Sequence, residues 1–264
     1  MVDKSEKFRW LVRLGFAARG LVYLLIGYLA LSAAGGDKGP SGAFNWLQDA
    51  PLGEPVLYLA ALGLVAYALY RLCSLVFDVD NHGTGGKGVA QRIGHGASGV
   101  AHLLLAWTAF QYARGGEQPG SGSGAEEAAG SLLTFSFGSL LLGLIGLGFA
   151  AAAAMQAKSA VTGSFMHRIA GDAPSFARPV GRAGHAARAV VFAIIAWSLV
   201  RSAWFADTAQ VKTLGEAVQS LADNGTVYTL VAIGLLLFGV FSLAIARYRI
   251  VPDIDRSTLK PALR

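Results

Sequence analysis

Long apolar segments alternate with short polar ones along the chain. Six apolar runs stand at about residues 16–34, 55–77, 96–113, 132–154, 186–205 and 226–246. Each is close to the roughly 20 residues that cross a bilayer as an α-helix. A lone strand in lipid would leave backbone groups unpaired, and the runs lack the alternation of a barrel strand. The pattern therefore predicts an all-α integral membrane protein with six transmembrane helices.

The odd-numbered runs begin with the same short motif, which we call the entrance motif. It consists of a basic residue, a glycine, an aromatic or imidazole ring, two small residues and then Arg or Ser. Its copies are Arg13–Gly20, Arg92–Gly99 and Arg182–Ala189, with the motif glycines at Gly15, Gly94 and Gly184, 79 and 90 residues apart. The even-numbered runs share a second signature around Gly63, Gly146 and Gly234. Such repetition indicates a repeated structural unit, here a hairpin of two helices.

The arrangement of the repeats follows from the even number of membrane crossings in each repeat. Because each hairpin crosses the membrane twice, all three have the same orientation, and such parallel repeats are related by an axis along the membrane normal. We therefore expect a single membrane domain over residues 1–264, with repeats at about 8–80, 88–160 and 178–250 around a pseudo-threefold axis. Residues 251–264 would form a cytoplasmic tail.

The basic residues fall in alternate loops. Fifteen Lys and Arg residues lie in the two terminal segments and in the loops after the second and fourth runs, against three in the other loops. By the positive-inside rule, both termini are expected in the cytoplasm. Each of the three outer loops also contains a short stretch that favours an interfacial helix, beginning near Gly42, Gly124 and Gly215.

Composition supports this class and excludes others. The chain is 54% hydrophobic and 14% charged, whereas a soluble domain carries about 25% charged residues. The net charge of +6 does not indicate nucleic acid as a partner, because the basic residues do not gather on one face. A single cysteine, Cys73, excludes an internal disulfide and a Cys-based metal site.

With these motifs and the ending Arg247-Tyr248-Arg249, the chain resembles the domain of unknown function 1206 family over about residues 8–250. The resemblance implies a bacterial inner-membrane protein built from three copies of a two-helix unit. It implies no particular activity, substrate or cofactor. Copy two departs from the pattern, because it carries Ser98 where the other copies carry Arg19 and Arg188.

These three positions are the first candidates for a polar site. Four residues beyond the motif glycine is only about 6 Å along a helix, so Arg19 and Arg188 can reach the cytoplasmic headgroups by snorkelling. Alternatively, both arginines face the repeat axis and bind an anion, a lipid headgroup or a helix end, since an ionisable group inside a span is costly and usually functional.

Three histidines complete the candidate site. His95 and His185 share the slot that Phe16 fills in the first repeat, which favours packing, although a pair of histidines could also hold a haem. His102 lies about 12 Å past Gly94, near mid-membrane. It is either an aromatic-sized filler or a residue that handles protons or substrate.

The sequence contains no metalloprotease helix, phosphate loop or nucleophile elbow. We expect neither an enzyme nor a metal or other cofactor. The preferred interpretation is a structural, accessory, or lipid- or partner-binding membrane protein, with membrane lipid and another membrane protein as its candidate partners. The alternative is a small channel or transporter with a polar path near the repeat axis. The oligomeric state stays open.

Overall fold

The computed structural model describes residues 4–32, 39–80, 82–116 and 123–251, and the regular structure of these residues is helical. The tail predicted at 251–264 lies, from residue 252 on, outside the described residues. The α-helices are α1 Lys4–Leu31, α2 Pro40–Gln48, α3 Gly53–Phe77, α4 Gly86–Ala113, α5 Ser123–Leu133, α6 Gly138–Thr162, α7 Ala177–Phe205, α8 Leu214–Gln219 and α9 Gly225–Tyr248. Short 3-10 helices lie at Ser164–Arg168 and Thr208–Gln210.

The six long helices coincide with the six apolar runs. Helices α1, α4 and α7 begin well before their runs, at Lys4, Gly86 and Ala177. Helix α6 begins later than its run, because residues up to Leu133 belong to α5. Among the described helices, α1, α3, α6, α7 and α9 are long and apolar enough to cross a membrane, which indicates a membrane protein. The exception is α4, which has 28 residues but carries polar groups at Lys87, Gln91, Arg92 and His102.

Short helices stand in the three loops where interfacial helices were predicted. They are α2, α5 and α8. Helix α8 begins with a capping box in which Thr213 and Glu216 satisfy each other's backbone N–H groups. This reciprocal bonding fixes the start of a helix too short to be stable by itself.

The long helices form a succession of neighbours in the order α4, α3, α1, α9, α7 and α6. Two of the three predicted hairpins are closed, since α1 packs against α3 and α7 packs against α9. The hairpin of the second repeat is open: α4 packs on α3 and α6 packs on α7, without comparable packing between α4 and α6.

Arginines of the entrance motif join consecutive repeats. The Arg92 guanidinium donates to the carbonyl oxygens of Leu75 at 2.8 and 2.6 Å and of Val76 at 3.1 Å, in the last turn of α3. In the same way, Arg182 donates to the carbonyl of Ala160 near the end of α6 at 2.7 Å. The last carbonyls of a helix have no partner within the helix and carry partial negative charge. Each arginine therefore stabilises the end of the preceding repeat.

The signature glycines lie where backbones approach closely. A Cβ on Gly15 would stand 2.6 Å from the Cα of Tyr67, and one on Gly184 would stand 2.7 Å from the Cα of Phe238. The even-helix glycines of these hairpins behave alike, since Cβ atoms on Gly63 and Gly234 would meet the methyl groups of Ala18 and Ala187 at 2.4 and 2.5 Å. Small residues of this kind let membrane helices pack closely.

The glycines of the second repeat differ. A Cβ on Gly94 would meet no atom within 4 Å, and Gly146 faces Leu199 and Val200 of α7 instead of α4. Gly94 is therefore not a contact point between helices, and Gly146 contacts the following repeat, because α4 and α6 do not pack against each other.

Candidate functional site

Arg19 lies inside the helical bundle with only 6% of its surface exposed. Its two terminal nitrogens donate to the hydroxyl of Tyr67 at 2.7 Å and to the hydroxyl of Ser242 at 3.1 Å. The guanidinium carbon also lies 4.7 and 4.9 Å from the ring centroids of Phe16 and Phe238. The snorkelling interpretation is therefore wrong for Arg19, whose charge is held by an α3 phenol, an α9 hydroxyl and aromatic faces.

The hydroxyl oxygen of Tyr67 accepts hydrogen bonds from two arginines. Besides Arg19, the side chain of Arg71 donates to the Tyr67 hydroxyl through Nε at 2.9 Å and a terminal nitrogen at 2.6 Å. A guanidinium has donors and no acceptor. The Tyr67 oxygen thus accepts from both arginines, and it stands where a carboxylate would be expected to balance their charge.

Arg188 is the least satisfied cation of this group. Its guanidinium carbon lies 4.5, 4.6 and 5.4 Å from the ring centroids of Phe238, Phe192 and Tyr23. Its Nε, like that of Arg19, is buried without a hydrogen-bond partner among the described residues. Arg188 and Arg19 therefore meet at the ring of Phe238, and no ion pair of the described residues neutralises either of them. We call Arg19, Arg71 and Arg188 the arginine cluster.

Ser98 and His102 of the second repeat lie beside the arginine cluster. The His102 ring packs against the Tyr67 ring at a tilt of 50°, with centroids 4.5 Å apart. Its Nδ1–H donates to the carbonyl oxygen of Ser98 at 2.7 Å, which leaves the lone pair on Nε2. The structure thus brings together four of the predicted site residues: Arg19, Arg188, His102 and Ser98.

His95 belongs to a second cluster, centred on Asp80, at the end of the bundle where α3 and α9 finish. One carboxylate oxygen of Asp80 accepts from Arg249 at 2.8 Å, and the other accepts from the Tyr70 hydroxyl at 2.9 Å. Arg168 and His95 approach the carboxylate at 3.7 and 3.5 Å. Burial alone would raise the pKa of Asp80, but Arg249 and Arg168 lower it to about 2.

The Asp80 cluster joins all three repeats. Asp80 follows α3, His95 lies on α4, and Arg168 and Arg249 follow α6 and α9. The backbone closes the same junction, since Ala170 N–H donates to the Tyr248 carbonyl at 2.8 Å and Ile250 N–H donates to the Arg168 carbonyl at 3.0 Å. The Asp80 cluster therefore links the three repeats at one end of the bundle.

Asp80, His82 and His95 also have the composition of a metal site, with ligand atoms within 4.8 Å of one another. However, guanidinium groups of Arg249, Arg168 and Arg71 contact the same three residues. These charges would repel a divalent cation and already occupy the carboxylate. The arrangement therefore fits an ion-pair cluster better than a metal site.

His185 lies apart from His95, among aromatic rings. It is paired with Gln156 of α6 through Nδ1, and its ring stacks on Phe165 with centroids 4.9 Å apart. Phe238 and Phe241 pack edge-on against it. The structure therefore places the two histidines considered for haem in separate groups of side chains, and His185 has the packing role that its shared slot with Phe16 favoured.

The sequence-based selection missed Tyr67, Arg71, Asp80 and Arg249. A signal was present for two of them. Tyr67 ends the signature of the second apolar run, and Arg249 belongs to the motif Arg247-Tyr248-Arg249. Asp80 shares its loop with Asp78 and belongs to no motif, so no spacing rule could have selected it.

The three helical pairs also appear in comparison with known proteins. The chain matches the family described as Domain of Unknown Function (DUF1206) in three segments, residues 14–75, 93–163 and 183–249. The chain belongs to the DUF1206 family. The DUF1206 segments coincide with α1 to α3, α4 to α6 and α7 to α9, so each copy contains two long helices and the short helix between them.

A known protein is similar to the chain over nearly its whole length. The chain is 30% identical over 254 residues to "Uncharacterized protein YxxB" of Bacillus subtilis (strain 168), which covers 91% of this chain and 92% of that protein. No solved structure matches the chain.

Proposed function

We propose that this protein crosses the bacterial inner membrane six times, with its three hairpins around a pseudo-threefold axis. Helix α4 supports the sixth span by its position, although it lacks the long apolar stretch of the other five long helices. Near one end Arg92 reaches the last turn of α3, and near the other end the ring of Phe110 lies 6.0 Å from that of Tyr58 on α3. Helix α4 thus runs beside α3 along most of its length.

We further propose that the protein binds an anionic, phosphate-type group in its interior, in keeping with a binding rather than a catalytic role. The observation that carries this proposal is the buried Nε of Arg188, which has no hydrogen-bond partner although it lies close to a second buried arginine. Uncompensated charges in a medium of low dielectric constant are expensive, and neighbouring cations repel each other. A bound anion would relieve both costs.

Phosphate suits the arginine cluster by its shape as well as its charge. A guanidinium presents a planar fork of N–H donors that matches phosphate oxygens and forms short, charge-assisted hydrogen bonds. The rings around Arg19 also favour a binding protein over a channel with a continuous polar path, since Phe16, Tyr67 and Phe238 each expose 2% or less of their surface. These rings block a continuous path through the bundle at the level of Arg19.

Native mass spectrometry of the detergent-purified protein tests the proposal, with phosphatidylglycerol as the anionic probe and phosphatidylcholine as its neutral-headgroup control. We expect selective retention of phosphatidylglycerol, and we expect Arg188→Gln to weaken it about tenfold, or about 1.4 kcal/mol. Arg201→Gln is the matched control, because Arg201 lies on the same helix but is exposed. Equal retention by the Arg188 and Arg201 variants would refute the site.

A further inference from the structure

The second repeat is open at the positions where the other two repeats are closed. Ala18 and Ala187 of the entrance motif are 6% and 5% exposed, whereas their counterpart Ala97 is exposed. Gly94, one turn earlier on α4, has no neighbour within 4 Å of a Cβ position. The face of α4 that would meet α6 in a closed hairpin is therefore uncovered.

This opening has a counterpart in the sequence. In the first repeat Arg19 lies over the ring of Tyr67, and in the third Arg188 lies over the ring of Phe238. The aligned positions of the second repeat are Ser98 and Ala150, which are too small to make such a pair. Tyr67 and Phe238 are each 1% exposed, but Ala150 is exposed. The second repeat thus lacks the arginine and the ring that fill the other two.

The open repeat borders the arginine cluster on both sides. On α4, the His102 ring packs against the ring of Tyr67, which accepts the hydrogen bond from Arg19. On α6, the Phe149 ring packs edge-on against Phe192 at 5.6 Å, and the Arg188 guanidinium lies over Phe192. A molecule between α4 and α6 would therefore have its polar end close to Arg19 and Arg188.

We propose that a phospholipid with an anionic headgroup enters sideways between α4 and α6 and places its phosphate at Arg188 and Arg19. This inference rests on the interior anion site proposed above and names its ligand and route. The occupant is a lipid because the uncovered α4 positions are apolar or small, so acyl chains can lie against them without leaving a polar group unpaired. Its phosphate supplies the negative charge that the described side chains do not provide.

The entry route is tested in a Cys73→Ser protein that carries Ala97→Cys. In detergent with phosphatidylcholine, we expect a bulky maleimide to label this cysteine, and in detergent with phosphatidylglycerol we expect labelling to slow at least fivefold. Val100→Cys is the matched control, because Val100 lies on the same helix and is 54% exposed. Its labelling should be the same with both lipids. Ala187→Cys, at the buried counterpart position, should stay unlabelled in both.

The reciprocal measurement uses the labelled protein. We expect the maleimide adduct at residue 97 to reduce phosphatidylglycerol retention about tenfold in native mass spectra, while the adduct at residue 100 leaves it unchanged. Retention that depends on Arg188 but is insensitive to the adduct at 97, with no protection of that cysteine, would overturn the lateral route alone. Loss of the Arg188 dependence itself would instead overturn the anion site.

Discussion

Asp80 stabilises the fold because one carboxylate receives groups from all three repeats. Arg249 and Tyr70 donate to it directly, and Arg168 lies within 3.7 Å. These contacts lower the pKa of Asp80 in the folded protein from an ordinary 3.8 to about 2. The ionised form therefore stabilises the folded state above the unfolded-state pKa, and this contribution disappears as the pH falls from about 4 to about 2.

We expect Asp80→Asn to lower the stability of the detergent-solubilised protein by roughly 2 kcal/mol at neutral pH, since removing the charge leaves two arginines uncompensated. The variant should also lose the fall in melting temperature between about pH 4 and pH 2. Thermal melting across that range measures both effects. Asp172→Asn, which changes an exposed acid on the same face, serves as control. A wild-type-like acid transition in Asp80→Asn would show that the linkage of the three repeats does not depend on this carboxylate.

The sequence did not predict the partners of Arg19. It selected Arg19 from its depth in an apolar run, but it offered only lipid, a helix end or an anion as a partner. The partners observed are the hydroxyls of Tyr67 and Ser242, which are 48 and 223 residues away in the chain. Such pairs depend on which helices become neighbours, and the periodicity of a single helix does not contain that information.

Individual helices were predictable because the membrane sets their length. The six long helices follow the six apolar runs, and the three short helices stand in the predicted loops. The pairing of helices was predictable only in part. Two hairpins follow the repeat, whereas α4 and α6 lie apart, and at this level Ser98 and Ala150 stand in place of the arginine and the ring of the other hairpins.

The glycines of the entrance motif give a direct test of this difference between hairpins. We expect Gly15→Leu and Gly184→Leu to destabilise the solubilised protein by several kcal/mol, because their new side chains would overlap the backbones of α3 and α9. Gly94→Leu should leave the melting temperature nearly unchanged, since its surroundings are open. Thermal melting of the three purified variants is the measurement, and each provides the control for the others. A loss at Gly94 equal to that at Gly15 would mean that the second hairpin is closed.

The two ends of the helical bundle are held together by different contacts. The segments after α3, α6 and α9 meet at the Asp80 cluster. At the other end, α2 contacts α8 and α5 contacts the 3-10 helix at Thr208–Gln210. The described Lys and Arg residues at the starts of α1, α4 and α7 and at the ends of α6 and α9 lie at the same end of the bundle as the Asp80 cluster. The charge pattern and the contacts thus assign the same helix ends to each side. Three parallel hairpins require this agreement, because their turns all lie on one side and their connecting segments on the other.

This division predicts the membrane topology residue by residue. In a Cys73→Ser background, single cysteines at Ser131 and Asn224 should react with an impermeant maleimide added to intact cells whose outer barrier has been permeabilised. Cysteines at Thr84 and Ser175 should react only after the inner membrane is opened. The pair Thr84 and Ser131 decides whether α4 crosses the membrane, because these positions precede and follow it and both are exposed. Labelling of both from the same side would reduce the protein to five spans, while exchange of the two groups would invert it. The fifteen-to-three distribution of basic residues and the position of α4 beside α3 both favour six spans with the Asp80 cluster in the cytoplasm.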